Sequence, residues 1–573
     1  MRLHKQKTLR SVLLLLLSVC TLQLAAQSDP TGKSAVTRTF AITNATVIPA
    51  PGQEITGATV VIKDGLIQAV GTNATVPGDA EVIDGTDLYI YAAFIDGMSN
   101  TGAKRPKPME RPRNLFTPDP PNDYAGITPE NSITGQLDIG SSSIEGMRKA
   151  GFAISHSVPY GRMLPGSGSL LLLADAEHMD DMIIAKDVAL FAQFLGAPGA
   201  YPNNYLGMMA KWRNLYRNAV QDKQHAEMYE ENPSGLTRPT NDRVSRAFFP
   251  VIAKDKPVFF DADDMLDIRR AMRLQNDLGF NLVIGGVKQA WDMADEFKAN
   301  NVSVFLSLDV PDKPKDAKGD DVTEEVKALE ARRMEFYNLH VSQASALKAA
   351  GVTFGFSTKG SRANKVKDNV MVYIENGLSE SDALAALTTN PASMLGISST
   401  SGTVENGKMA NLMVSTAPYF TKDSQIKMMF VDGMKYEYEV KKKKAKKDKG
   451  DETEEEEAPA ADAGGAASAV VGSWSYSFTT PGGEQTGKMI IKSGDEGLSG
   501  VLTSDDGDPD NDMSDISFKD GNLNFSFSVD AGGQSIDIVV EGVVEGKTYT
   551  ADASVAAFNI NFELNATKDD NPQ

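Results

Sequence analysis

The chain has 573 residues and a mass of 61.6 kDa, a length that indicates several domains or a large α/β barrel with additional modules. Its 57 Lys and Arg against 77 Asp and Glu give a net charge of −20, which repels phosphate backbones and argues against a nucleic-acid partner. One Cys excludes a disulfide framework and a Cys-based zinc site, and five His leave little material for a His-rich metal centre.

Residues 1–26 have the pattern of a secretory signal peptide. A basic segment up to Arg10 precedes a leucine-rich run, and Leu24-Ala25-Ala26 supplies small residues before Gln27. The apolar run is shorter than the roughly 20 residues that a membrane-spanning helix needs, and no other segment predicts one. We expect cleavage after Ala26 and export to the periplasm or the extracellular space. A lipoprotein carrying its lipid on Cys20 is the alternative.

The next 400 residues alternate between strand and helix patterns. Short strands are predicted from Phe40 to Asp84, and Asp64-Gly65 is a favourable hairpin turn between two of them. From about Ile90 to Leu395, short apolar runs alternate with longer helical segments. This alternation predicts a parallel sheet, and over this length an α/β fold of the TIM-like (β/α)8 barrel type is the economical solution.

The C-terminal part divides into a charged stretch and an all-β module. Residues 441–469 contain a lysine block, an acidic block and an Ala/Gly-rich run, which predict a flexible linker. That the lysine block binds an anionic surface remains an alternative. Residues 470–568 alternate polar and apolar residues between Gly- and Asp-rich turns, which predicts a separate small antiparallel β-barrel or sandwich.

Several motifs occur in a characteristic order along the chain. They are Gly57-Ala58-Thr59-Val60-Val61-Ile62-Lys63-Asp64-Gly65, Tyr91-Ala92-Ala93-Phe94-Ile95-Asp96-Gly97, Leu384-Ala385-Ala386-Leu387-Thr388-Thr389-Asn390-Pro391-Ala392 and Phe430-Val431-Asp432-Gly433. Together they resemble the amidohydrolase superfamily, specifically its imidazolonepropionase-like or dihydroorotase-like secreted members. The resemblance implies a barrel over residues 91–398 that is inserted into a β-sandwich built from residues 38–90 and 399–440. Residues 470–568 resemble the lipocalin-like modules of some secreted members.

The resemblance also implies one or two divalent metals, such as zinc, that activate water at the barrel mouth. The positions where the family carries His ligands hold Met98, Asn100, Asp261 and Val287 in this sequence, and Lys359 replaces the Asp that shuttles the proton. Methionine is a weak ligand, an asparagine offers only an amide oxygen, and a lysine ammonium repels a metal. We therefore expect no metal cofactor.

A second group of residues is predicted from its place at the ends of probable strands. Asp96, His156, Asp261 and Asp309 are candidates for lining a pocket at the barrel mouth. With Asp263, the three acids of this group offer oxygen ligands for a hard cation such as Mg²⁺ or Ca²⁺. Ordinary loop acids in a chain of charge −20 are the alternative.

Three functions remain open from the sequence. The first is an exported, catalytically degenerate relative that binds an unidentified small-molecule or peptide-like ligand at the barrel mouth without a metal-activated water. The second is an active hydrolase of carbon–nitrogen bonds in small or peptide-like substrates, with an atypical site. The third is a scaffold whose C-terminal β-barrel binds partners or lipophilic ligands.

Overall fold

A computed structural model describes residues 38–106, 109, 111–314, 323–440, 470–480, 483–494, 497–505, 510–519, 521–531, 534–555 and 560–569. The predicted signal peptide and the predicted linker lie outside these residues. The chain divides into two compact units, Met1–Lys443 and Lys444–Gln573.

The first unit contains sixteen strands in the described residues, and the second contains eight. The strands of the first unit are β1 (Phe40–Ile48), β2 (Ile55–Lys63), β3 (Leu66–Gly71), β4 (Glu81–Asp84), β5 (Tyr89–Ala92), β6 (Phe94–Ser99), β7 (Phe152–Ser157), β8 (Gly166–Leu172), β9 (Ile183–Gln193), β10 (Val258–Asp261), β11 (Leu282–Val287), β12 (Ser303–Ser307), β13 (Phe354–Ser357), β14 (Leu412–Ser415), β15 (Ile426–Val431) and β16 (Met434–Glu437). Its α-helices are α1 (Asn122–Ala125), α2 (Ser142–Lys149), α3 (Tyr205–Glu231), α4 (Arg243–Ala247), α5 (Phe249–Ile252), α6 (Met265–Leu278), α7 (Ala294–Ala299), α8 (Glu324–Ala349), α9 (Val366–Glu375), α10 (Glu380–Leu387) and α11 (Thr389–Met394).

Strands from both flanks of the barrel form one eight-stranded sheet. Its order is β16-β15-β14-β5-β1-β2-β3, with β4 paired to β1. The hairpin of β2 and β3 turns at Asp64 and Gly65, whose φ angles of 51° and 76° are those that a tight two-residue turn requires. β5 pairs with β14, so the N-terminal and C-terminal contributions meet at the centre of the sheet. The contribution of both ends to the flanking β-domain, which the resemblance implies, is confirmed, and the strands of both ends of the expected β-sandwich are hydrogen-bonded in one sheet.

The barrel is an eight-stranded sheet in the order β6-β7-β8-β9-β10-β11-β12-β13. Its two edges meet, because the Lys359 amide donates to the Met98 carbonyl at 3.1 Å. The predicted TIM-like α/β barrel is confirmed, with one difference: β8 runs antiparallel to both β7 and β9. The short connections on either side of β8 are the reason, since a parallel crossover needs a dozen or more residues.

An aromatic core fills the space between the barrel strands and the helices that cover them. Trp212 of α3 is fully buried and contacts the rings of Phe248, Phe260 and Phe280. These rings fix α3 and α6 against β10, and thereby hold the strand ends that form the barrel mouth. In the part of the chain that the structure describes, no helix has both the length and the apolar character needed to cross a membrane.

The second unit is a closed antiparallel barrel, as the all-β prediction for residues 470–568 requires. Its strands are β17 (Gly472–Thr480), β18 (Gly483–Gly494), β19 (Gly497–Ser504), β20 (Asn511–Lys519), β21 (Asn522–Ala531), β22 (Gln534–Glu545), β23 (Thr548–Val555) and β24 (Ile560–Lys568). Alternating side chains such as Trp474 and Tyr476 are buried inside it. The Trp474 indole donates to the Val470 carbonyl at 2.9 Å, which satisfies its only polar atom.

Candidate functional site

The substituted positions that the sequence singles out lie at or near the carboxyl ends of parallel barrel strands. Asp261 is the last residue of β10 and Val287 is the last of β11, while Asp309 and Lys359 follow β12 and β13 by two residues. Met98 lies in β6. Because these strands are parallel, their carboxyl ends share one edge of the barrel, which is where active sites of this architecture are built.

A lysine ammonium occupies the centre of this edge. The Lys359 Nζ lies 2.6 Å from Oδ2 of Asp261, and their side chains are only 26% and 18% exposed. Gly286 makes room for the carboxylate, because a Cβ at this position would lie 2.5 Å from Oδ1 of Asp261. The charge of Asp261 is therefore neutralised by a side chain of the protein itself. This hydrogen bond between two charged groups is of the strong kind.

A second lysine–carboxylate pair lies at the ends of the next two strands. Lys288 follows β11 directly, and its Nζ lies 2.5 Å from Oδ2 of Asp309. Both side chains are more exposed than those of the first pair, at 37% and 44%. Asp309 is among the residues predicted from the sequence and Lys288 is not, although the place of Lys288 directly after Val287 at a strand end is a usable signal.

Met98 is a packing residue of the barrel interior. It is fully buried and forms an apolar cluster with Val158 and Phe191. A Cβ at Gly285 would lie 2.6 Å from both Sδ and Cε of Met98, so the thioether occupies the space above this glycine. Val287 is also fully buried, in the core that the strands share with the helices.

Asn100 is engaged with the backbone of a neighbouring loop. Its side-chain amide donates to the Val158 carbonyl at 2.7 Å. The two side chains that replace the first predicted pair of ligands, Met98 and Asn100, thus serve to pack and to connect loops.

Asp96 lies in a closed hydrogen-bond network below the mouth. It is fully buried, and its carboxylate accepts from the Thr358 amide at 2.9 Å, the Thr358 hydroxyl at 3.0 Å and the Ser155 hydroxyl at 2.9 Å. Burial raises the pKa of Asp96, and the hydrogen bonds from Ser99, Thr358 and Ser155 oppose this effect. The network ties β6 to β7 and to the residues after β13, across the junction that closes the barrel.

His156 is a neutral, buried side chain. Its Nδ1 lies 3.0 Å from the Gly97 carbonyl, which fixes the proton on Nδ1, and its ring packs edge-on against Phe259 at 4.4 Å. Burial lowers its pKa to about 4, and its Nε2 has no hydrogen-bond partner in the described structure. A Cβ at Gly168 would lie 2.7 Å from Nε2, so this nitrogen faces the backbone of β8. Gly168 lies inside that strand.

The barrel interior below these residues is filled by aromatic rings. Phe259 and Phe305 stack with ring centroids 5.9 Å apart, and they form a buried cluster with Ala189 and Val283. The Phe305 ring packs directly against Gly97, and a Cβ at Gly97 would lie 1.9 Å from the ring. The interior is thus a packed core, as in other barrels of this size.

The donor set of this edge does not fit a catalytic transition metal. A metal site needs neutral imidazoles and free carboxylates. Here a buried thioether, an amide engaged with a carbonyl, a valine and a lysine-paired Asp261 take the expected positions. In the described residues, the acids close enough to share a cation are Asp263, Asp264 and Asp267, and not the set of Asp96, Asp261, Asp263 and Asp309 considered from the sequence.

The acidic trio has a structural role at the start of α6. The Asp264 carboxylate accepts from the Asp267 amide at 2.7 Å, which caps the helix. The Asp267 carboxylate in turn accepts from Arg270. The predicted pocket-lining residues are therefore of two kinds: Asp96 and His156 are fully buried, whereas Asp261 and Asp309 form lysine pairs at the edge. That they line a ligand pocket remains a prediction.

Comparison with known proteins agrees with this architecture. Residues 333–435, which run from α8 to β16, match the amidohydrolase family model. An amidohydrolase from Thermotoga maritima MSB8 is similar in structure, with a TM-score of 0.57 and 21% identity over 70% of this chain and all of the other. The first unit has the amidohydrolase fold.

More distant solved structures include a second amidohydrolase and a prolidase complexed with N-methylphosphonate-L-proline. They are 15% and 16% identical, each over 70% of this chain and all of their own, and both have a TM-score of 0.41. At this level of similarity they support no conclusion about activity. No curated protein sequence matches the chain.

Proposed function

We propose that the chain is an amidohydrolase-superfamily member that has lost metal-dependent hydrolysis and binds a small-molecule or peptide-like ligand at its barrel mouth. The observation that supports the proposal most strongly is the contact between the Lys359 ammonium and the Asp261 carboxylate. In an active member, a divalent metal would supply the positive charge beside these strand ends and would lower the pKa of a bound water. Here a lysine supplies the charge, and an ammonium cannot activate water in that way.

The surrounding residues support loss of the metal and do not support binding of a different metal in its place. Met98 is enclosed by Val158 and Phe191, and its place depends on the missing side chain of Gly285. A histidine at this position would place a polar ring in an apolar cluster, where an unpaired polar group is unfavourable. The packing has therefore adapted to the methionine.

Thermal unfolding and hydrolysis assays test this proposal together. We expect that a chelator and added zinc both leave the melting temperature unchanged, because only a ligand that binds the folded state shifts it. We also expect no hydrolysis of dipeptides or cyclic amides above background, with or without zinc. A zinc-dependent rise in melting temperature accompanied by turnover would contradict the proposal.

The N-terminal sequence supports export of the chain, which we include in the proposal. The pattern of residues 1–26 fits a compartment outside the cytoplasm. Cell fractionation with N-terminal sequencing tests this part: a mature chain that begins at Gln27 is expected. A chain that begins at Cys20 with a lipid attached would favour the lipoprotein alternative.

A further inference from the structure

Four exposed large apolar side chains lie near the barrel mouth on the segments that follow β6 and β9, and Leu266 at the start of α6 is a further one. Leu206 is 82% exposed, Phe116 66%, Met109 56% and Leu195 46%. Single exposed apolar residues are common on protein surfaces and need no explanation. These four, which we call the rim patch, differ because the loop with Met109 and Phe116 packs against the segment that carries Leu195 and leads into α3, where Leu206 lies.

Several contacts join the two loops. The Tyr201 amide donates to the Thr117 carbonyl at 2.8 Å, and the Tyr124 hydroxyl donates to the Pro198 carbonyl at 3.0 Å. Tyr124 also forms a small buried cluster with residues of the second loop. Phe116 therefore projects from a loop that is anchored beside the one carrying Leu195 and leading to Leu206.

A groove in the first loop adds to the apolar character of this surface. It has a volume of about 530 Å³ at the side of Phe116, and its other walls include Leu115, Pro112 and Pro121. Asp119 lies at the same groove, so the surface is not free of acids. Of the four rim-patch side chains, Phe116 lines this groove, and Met109, Leu195 and Leu206 lie outside it.

The beginning of the first loop is basic, whereas residues 114–141, which complete it, contain four acids and no Lys or Arg. Residues 104–113 contain five basic residues and one acid, a local charge of +4 in a protein of charge −20. Lys104, Arg105, Arg111 and Arg113 are exposed, and the Arg105 guanidinium lies 5.1 Å from the centre of the Tyr160 ring. The Arg111 guanidinium is adjacent to the second loop, since a Cβ at Gly199 would lie 3.3 Å from its Nη1.

We propose that the rim patch and this basic segment dock the barrel mouth onto an anionic lipid surface. Exposed leucine, phenylalanine and methionine side chains beside arginines and lysines have the composition of surfaces that lie in the headgroup region of a membrane. Individually projecting side chains suit insertion between lipids better than they suit a rigid protein partner, which would need a complementary surface. This inference concerns the rim loops and does not depend on the loss of metal chemistry inside the barrel.

Co-sedimentation of the full chain with vesicles tests the proposal. We expect binding to equimolar phosphatidylglycerol and phosphatidylcholine, weaker binding as salt increases, and little binding to phosphatidylcholine alone. Each cation near such a surface contributes about a fivefold change in affinity, so Arg111→Ala with Arg113→Ala should weaken binding about 30-fold. Leu206→Ser with Phe116→Ser should weaken it about tenfold or more.

Matched controls separate the rim from general charge and hydrophobicity. Arg332→Ala with Arg333→Ala removes two exposed cations from α8, and Val82→Ser removes a side chain that is 59% exposed on β4. Both controls should bind as the unaltered chain does. Absence of vesicle binding, equal binding to both lipid compositions, or equal losses in the controls and the rim variants would each overturn the proposal. If the rim patch binds a protein partner and not lipid, the chain should not bind vesicles, which is the first of these results.

Discussion

Removal of the Lys359 ammonium should destabilise the first unit measurably. Lys359→Met keeps the length of the side chain but leaves the Asp261 carboxylate, only 18% exposed, without the cation that it contacts at 2.6 Å. Breaking a fully buried ion pair costs about 3–5 kcal/mol. Since solvent reaches both side chains here, we expect a loss of about 2 kcal/mol in the free energy of unfolding.

A double-mutant cycle with Asp261→Asn isolates the interaction of the pair. The loss in the free energy of unfolding of the double variant should be about 1–2 kcal/mol smaller than the sum of the losses of the two single variants. The reason is that Asp261→Asn removes the negative charge that Lys359→Met leaves unpaired. Urea unfolding of the four proteins in parallel measures these differences. Additive effects would refute the assignment of Lys359 as the cation of Asp261. A stabilised Lys359→Met variant would refute it more strongly, since that is the result expected if the lysine repels a metal held by Asp261.

Further predictions concern packing and protonation. Gly285→Ala should lower the free energy of unfolding, measured in urea, by about 1–3 kcal/mol, because the added methyl group meets the Met98 side chain. The same change in a Met98→Ala background should lower it less, because the methyl group then enters the cavity that the shortened side chain leaves. Burial lowers the pKa of His156 from 6.5 to about 4. Between these pH values the unfolded state binds a proton at this imidazole and the folded state does not. The free energy of unfolding therefore decreases as the pH falls from 6.5 towards 4. His156→Gln should reduce that slope by up to about 1.4 kcal/mol per pH unit, measured by unfolding at a series of pH values; an unchanged slope would contradict the burial of a neutral imidazole. Trp474→Ala should destabilise the C-terminal barrel by about 3–5 kcal/mol, measured by calorimetry, and a smaller loss would show that its interior repacks.

The sequence was sufficient for the architecture because the relevant signals are local. Strand–helix alternation and the Asp64-Gly65 turn each depend on a few neighbouring residues, and both predicted elements are present. The direction of β8 was not predicted, because it depends on the lengths of its two connections and on no residue type. Gly168 lies within β8 because a glycine in a strand lets another side chain, here that of His156, approach closely.

The candidate site was predictable in composition but not in arrangement. The substitutions at Met98 and Lys359 could be identified from the motifs around them. The partner of Lys359 lies 98 residues earlier in the chain, and only the closed barrel brings the two side chains together. His156 was expected near the mouth because it lies late in its strand, but the approach of Gly97 and Gly168 encloses it. Such close approaches depend on glycines in segments that are distant along the chain, and the residue pattern of one strand does not predict them.

Elemental analysis of the purified full-length protein tests the central claim most directly. If a lysine has replaced the catalytic metal, zinc, nickel, iron and manganese should each be present at far less than one ion per chain, even after purification without chelators and dialysis against zinc. One tightly retained transition-metal ion per chain would contradict the account.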